Sequence, residues 1–239
     1  MNRNLWLLAL CQGLFLTNNV VFIAINGLVG LQLAPYGWMA TLPVMGYVVG
    51  GALSTPLVAQ TQRRWGRQVS FQIGLVVALL SALLCAWAAF QGNFWLLCLA
   101  TLVAGYYSAN GQLYRFAAAE LTSAAHREKA VSLVLAGGLL GAVAGPNLAS
   151  QARDLFSVPF AGAYLALVVV ALLSMACMAA IRFEALPAST TGSAGQGRSL
   201  AELMREPVFL VAVLGAALGY GVMNLLMAAT PLAMQVCGY

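Results

Sequence analysis

QGLFLTNNVVFIAIN, residues 12–26, is the stretch on which the fold turns. Hydrocarbon side chains dominate it, yet it carries Gln12, Asn19 and Asn26 at intervals of seven residues. At about 3.6 residues per turn, seven residues make almost two full turns, so the three amides share one face of a helix. The apolar run around them reaches from residue 5 to 33. A hydrocarbon core takes about 20 residues to cross, so this run is long enough to span one. Lipid offers an amide no partner, so the stripe must face protein or a water-filled cavity.

The rest of the chain agrees. Of 239 residues, 62% are hydrophobic and only 7% are charged, against about 25% charged in a soluble domain. No soluble surface can be built from so few charges, so the fold class is an all-α membrane protein, a multi-span helical bundle. Six further apolar runs follow the first, at 38–60, 69–90, 94–119, 130–151, 158–181 and 208–235. They are too long for barrel strands, which alternate over about ten residues. The first run is also about twice the length of a signal-peptide core, and no cleavage site follows it.

Charge sets the expected orientation. With the N-terminus in the cytoplasm, Arg3, Arg63, Arg64, Arg67, Arg127, Lys129, Arg182, Arg198 and Arg205 all fall inside, and Arg153 falls outside. Trp38, Trp87 and Trp95 then mark the outer interface, and Trp6 and Trp65 the inner one. The net charge of +5 lies in short loops rather than in a patch, which argues against nucleic acid as a partner. Cys11, Cys85, Cys98, Cys177 and Cys237 lie in or beside apolar runs with no CxxC spacing, so they read as small hydrophobes.

Three parts follow: a six-helix bundle over 1–181, a cytoplasmic linker over 182–207 and a seventh span over 208–239. ALPASTTGSAGQGRS in the linker is small and polar. Ser199 and Glu202 then form a capping-box pattern that predicts a short amphipathic helix on the membrane face.

Three stretches carry a family likeness: RRWGRQ after the second run, YRFAAAELTSAAHREKAVS around the end of the fourth, and GGLLGAVAGPN in the fifth. Together they resemble the major facilitator superfamily of secondary transporters, built from two six-span halves joined by a cytoplasmic linker. The likeness implies that this chain holds the N-terminal half and the seventh span. The family's loop motif, Gly-x-x-x-Asp-Arg-x-Gly-Arg-Arg, is matched at Arg64, Gly66 and Arg67. Ala59, Arg63 and Gln68 replace its first Gly, its Asp and its last Arg. Gly66 permits a tight turn between antiparallel helices.

The Gly-Pro motif of the family's fifth span is matched at Gly141, Gly145 and Pro146, with Gly137 one turn earlier. Small residues four apart make a groove for another helix, and Pro146 loosens the helix there. The two readings are tight packing and a hinge at the interface between halves. Glu120 and Arg127 also match the family pattern. They imply a cytoplasmic ion-pair cluster with the loop arginines. NLWLLAL (4–10) with PVFLVAV (207–213), and LQLAPY (31–36) with MQVCGY (234–239), align at one common offset, faint support for the parallel repeat expected of this fold.

The likeness also implies that spans one, four and seven line a central cavity. Counting about 1.5 Å per residue, Asn19 lies roughly 21 Å in from Leu5. By the same count Tyr107, Asn110, Tyr220 and Asn224 fall near the midplane. With Tyr114, Gln12, Asn26 and Gln112 they make the candidate substrate-binding set. Arg115 either snorkels to the inner headgroups or attracts an anionic group in the cavity.

Secondary transport of a small organic solute by alternating access is therefore the expected function. The expected place is a bacterial inner membrane, with the lipid bilayer, the small-molecule substrate and a coupling proton or other ion as partners. No cofactor, metal or enzymatic activity is expected: His126 is the single histidine and sits in a loop. Two other readings stand beside it. One is a truncated, non-transporting fragment. The other is a seven-span receptor, which the charge bias opposes; its retinal form lacks the buried lysine, since Lys129 is the only one and lies in a loop. Glu120 and Asp154 sit at span ends rather than at midplane depth. Coupling is therefore expected to use a group beyond these spans, or else transport is facilitated diffusion.

Overall fold

The computed structural model describes residues 3–153, 155–156, 158–183 and 200–237. Asp154, Glu184, Arg198, Ser199, Gly238 and Tyr239 lie outside them, and so do most of the linker, the capping box and the end of the second repeat. The helices are α1 (Arg3–Leu33), α2 (Leu42–Gln91), α3 (Phe94–Gly111), α4 (Tyr114–Glu120), α5 (Arg127–Ala152), α6 (Ala161–Ala179), α7 (Leu200–Leu203) and α8 (Pro207–Val236). The chain forms two compact units, residues 1–184 and 185–239. The first holds α1 to α6, and the second holds α7 and α8.

Two expected spans appear as one 50-residue helix, α2, folded back on itself at Gly66. Gly66 has φ 81° and ψ 171°, a conformation that a Cβ would oppose. The fold-back is proved by a side-chain contact. Thr61 Oγ1 lies 3.0 Å from Ser70 Oγ, nine residues on, whereas a straight helix would part them by about 13 Å. The limbs 42–65 and 67–91 are thus the second and third expected spans. The fourth, expected as one run over 94–119, is instead broken at Gln112 and Leu113 into α3 and α4. The break follows Gly111, which packs so closely on the Phe15 ring that a Cβ there would overlap it.

Lipid tails are as apolar as leucine, so helices in a membrane are held together by close packing and interhelical hydrogen bonds. Unit 1 uses both. Ala9, Gly13 and Thr17 of α1 meet Gly137, Gly141 and Gly145 of α5. A Cβ on Gly13 would stand 2.9 Å from the Gly137 carbonyl oxygen, and one on Gly141 would overlap the Gly13 carbonyl. Thr17 Oγ1 donates to Gly13 O at 3.0 Å and lies 3.2 Å from Gly141 O, tying the two backbones. A second seam joins the first limb of α2 to α3. There a Cβ on Gly50 would overlap the Leu102 carbonyl and one on Gly105 would overlap the Gly50–Gly51 backbone.

Part of the interior is aromatic. Phe15 meets Tyr107 and Tyr114 edge-on at 5.4 and 5.9 Å, and Phe71 meets Tyr114 at 4.9 Å. Each such pair adds about 0.5–1.5 kcal/mol beyond burial. Five stretches of the described residues are long and apolar enough to cross a membrane, among them 37–91, which contains both limbs of α2.

Candidate functional site

The amide stripe of α1 points into unit 1, as lipid requires of it. Gln12, Asn19 and Asn26 are 7%, 5% and 0% exposed. Asn26, near the end of α1, accepts a hydrogen bond from the Tyr164 hydroxyl of α6 at 2.6 Å, beside the Phe22 ring. Its Nδ2 has no hydrogen-bond partner, and neither has Asn19 Oδ1, Gln12 Oε1 or the buried Tyr107 hydroxyl. Each buried unpaired group costs about 1–3 kcal/mol. Phe15 lies between Gln12 and Asn19 along the helix, and its ring touches Tyr107. Gln12, Phe15 and Asn19 therefore share one helix face, on which the Gln12 stem also approaches Gly138 of α5.

Asn110 does not belong with them. It is fully buried, its Oδ1 accepts from Ser70 Oγ at 3.0 Å, and its Nδ2 donates to Tyr106 O at 3.3 Å. Ser70 stands about one turn beyond the Gly66 fold-back, and Asn110 also packs against Gly74, about two turns beyond it. Tyr106 extends the tie: its hydroxyl lies 3.0 Å from Thr61 Oγ1, which reaches Ser70. This chain joins both limbs of α2 to α3. Of its members the sequence reading singled out Asn110 alone, since hydroxyls of Thr, Ser and Tyr in apolar runs carry no spacing signal.

Tyr114 is likewise a core residue, walled by Phe15 and Phe71. Gln112 is half-buried at the break. Arg115 is exposed, with its guanidinium 5.1 Å from the Phe116 ring.

At the fold-back end, Arg67 pairs with Glu120, the last residue of α4. Arg64 instead places its guanidinium 5.6 Å from the Trp65 ring. Arg127 is exposed at the first residue of α5. The expected cluster is thus a pair, made by one loop arginine.

Gly137, Gly141 and Gly145 face α1 of their own unit. The groove is filled from within the unit by Ala9, Gly13 and Thr17, as the tight-packing reading expects. Helix α5 continues through Pro146, and Asn147 Nδ2 donates to Val143 O at 2.8 Å just beyond it. In unit 2, Tyr220 is 41% exposed and Asn224 Nδ2 donates to its carbonyl oxygen at 2.9 Å, one turn back along α8.

An open groove of about 510 Å³ runs along the second limb of α2, lined by Val69, Gln72, Ile73, Val76 and Ala179 among others. None of the candidate residues lines it, and its wall is apolar.

A sequence model of the Major Facilitator Superfamily matches residues 5–239. The chain belongs to the major facilitator superfamily, a family of multi-pass membrane transporters rather than enzymes. It is 33% identical over 240 residues to the riboflavin transporter RfnT of Brucella anthropi, covering 99% of this chain and 60% of that protein. Two Bacillus subtilis proteins described as uncharacterized MFS-type transporters, YdeG and YddS, are 28% and 29% identical over 132 and 124 residues, 55% and 51% of this chain. The matches thus cover about 60% of the first relative's length and about 30% of the other two.

Proposed function

We propose that this protein takes part in secondary transport of riboflavin, or a closely related flavin, across a bacterial inner membrane by alternating access, with its N-terminus in the cytoplasm. The observation that carries the reading is the 33% identity to a riboflavin transporter, which runs along 99% of the chain rather than through one motif. The buried polar groups support it. Gln12, Asn19 and Tyr107 keep hydrogen-bonding capacity that the fold leaves unused. Tyr220 and Asn224 of α8 are proposed as further contacts. Arg67 and Glu120 are proposed as a latch that favours one conformation.

Ion coupling remains part of the proposal without an assigned residue. Glu120 closes α4 and is committed to Arg67.

The reading is tested by expressing the chain in a riboflavin-requiring bacterium that lacks its own uptake system. Saturable uptake of labelled riboflavin, competed by unlabelled riboflavin, is expected. Uptake equal to that of cells with empty vector contradicts the reading.

A further inference from the structure

The open groove on the second limb of α2 is apolar along its length and charged at one end. Val69, Ile73 and Val76 line it from the limb, and Ala179, the last residue of α6, lines it from that helix. Gln72 also reaches it, but its Nε2 is spent on Met175 O of α6 at 3.0 Å. From Gln68 to Val77 the lining covers about 13 Å of helix, close to half of the ~30 Å hydrocarbon thickness of a bilayer. The groove is therefore about one leaflet deep.

Arg3 and Arg182 stand at its fold-back end. Arg182 lies three residues past Ala179, and the next residue, Phe183, packs edge-on against Phe71 of the same limb at 5.8 Å. The Arg182 carbonyl accepts from Asn4 Nδ2 at 2.9 Å, which brings the start of α1, with Arg3, to the same place. Both arginines are exposed, and neither pairs with a carboxylate among the described residues. Glu120 at this end is held by Arg67.

We infer that the groove seats an acyl chain of an anionic phospholipid, in the leaflet on the fold-back side, with the lipid phosphate held by Arg3 and Arg182. An acyl chain enters from surroundings as apolar as the groove itself, so it gains packing contacts and little else. Selectivity must then come from the cations, which attract lipids of net negative charge. A zwitterionic lipid fills the groove but brings no net charge to the arginines. A free phosphate ester meets the arginines but leaves the groove empty.

The test is native mass spectrometry of the purified chain, released from detergent micelles after incubation with one of three probes. These are phosphatidylglycerol, phosphatidylcholine with the same acyl chains, and glycerol 3-phosphate. The unaltered chain should retain phosphatidylglycerol at least about fivefold more than phosphatidylcholine, the effect of one cation near the membrane surface, and should retain no glycerol 3-phosphate. Val76→Trp, which fills the groove, should lower retention of both lipids. Arg3→Gln combined with Arg182→Gln should remove most of the preference and leave phosphatidylcholine unchanged. That double variant alters exposed side chains only and keeps the Asn4 hydrogen bond, which uses the Arg182 backbone. Equal retention of the two lipids by the unaltered chain overturns the inference, as does an undiminished preference in the double variant. Undiminished lipid retention in Val76→Trp, or glycerol 3-phosphate held as well as phosphatidylglycerol, overturns the seat for the acyl chain. A dimer that Val76→Trp converts to a monomer would put a second copy of the chain in the groove and overturn it too.

Discussion

Arg67, one residue past the fold-back of α2, pairs with Glu120 at the end of α4, joining positions 53 residues apart. The pair bridges the second limb of α2 to the broken fourth span. Both side chains keep some access to solvent, at 18% and 38% exposure, so the pair contributes little to stability, about 1 kcal/mol or less. Its proposed role is in the conformational equilibrium, where such a small bias is enough to matter.

Arg67→Gln and Glu120→Gln should therefore lower riboflavin uptake several-fold while leaving the melting temperature nearly unchanged. The exchanged pair, Arg67→Glu with Glu120→Arg, should recover part of the loss. Uptake kinetics on all three variants check this, and an exchanged pair as slow as either single variant speaks against a latch.

Gly141→Ala and Gly145→Ala should separate in stability. A Cβ on Gly141 overlaps the Gly13 carbonyl, whereas one on Gly145 stands 3.2 Å from the Thr17 carbonyl and needs only a small shift. Gly141→Ala is expected to cost about 1–3 kcal/mol as overpacking, and Gly145→Ala clearly less. Thermal unfolding in detergent measures the difference. Equal melting temperatures would mean that the α1–α5 seam is looser than described.

Asn110→Ala and Ser70→Ala should each destabilise unit 1 by about 1 kcal/mol, with the double variant costing less than the sum, because both remove the same hydrogen bond. Riboflavin affinity should not change in either. A selective loss of affinity in Asn110→Ala would return that residue to the binding site.

The sequence showed the crossing runs and the turn at Gly66, because each rests on a local pattern: length, and a glycine between arginines. The family likeness set Glu120 among the loop arginines but did not show that Arg67 is its partner. The sequence also showed that the amides of α1 must be buried. It did not show which helix fills the glycine groove of α5. Small residues four apart announce a close approach but not a partner, and Ala9, Gly13 and Thr17 become readable as that partner only once α1 and α5 are seen side by side. The Asn110–Ser70 hydrogen bond was hidden for a related reason. Its partners are 40 residues apart, and depth along α3 alone does not reveal the pairing.

Coupling gives a further expectation. Glu120→Gln, in liposomes with an imposed pH gradient, should slow transport without abolishing the effect of the gradient, since Glu120 serves Arg67 at a helix end. Complete loss of gradient drive with exchange intact would place coupling at Glu120.

The central claim, riboflavin carried by alternating access, is tested most directly by counterflow. Liposomes containing the protein are loaded with unlabelled riboflavin and diluted into a trace of labelled riboflavin. A carrier that exposes one site to each side in turn should draw label inward to a transient level above its equilibrium value. Monotonic equilibration without overshoot, or entry no faster than into protein-free liposomes, would contradict the account.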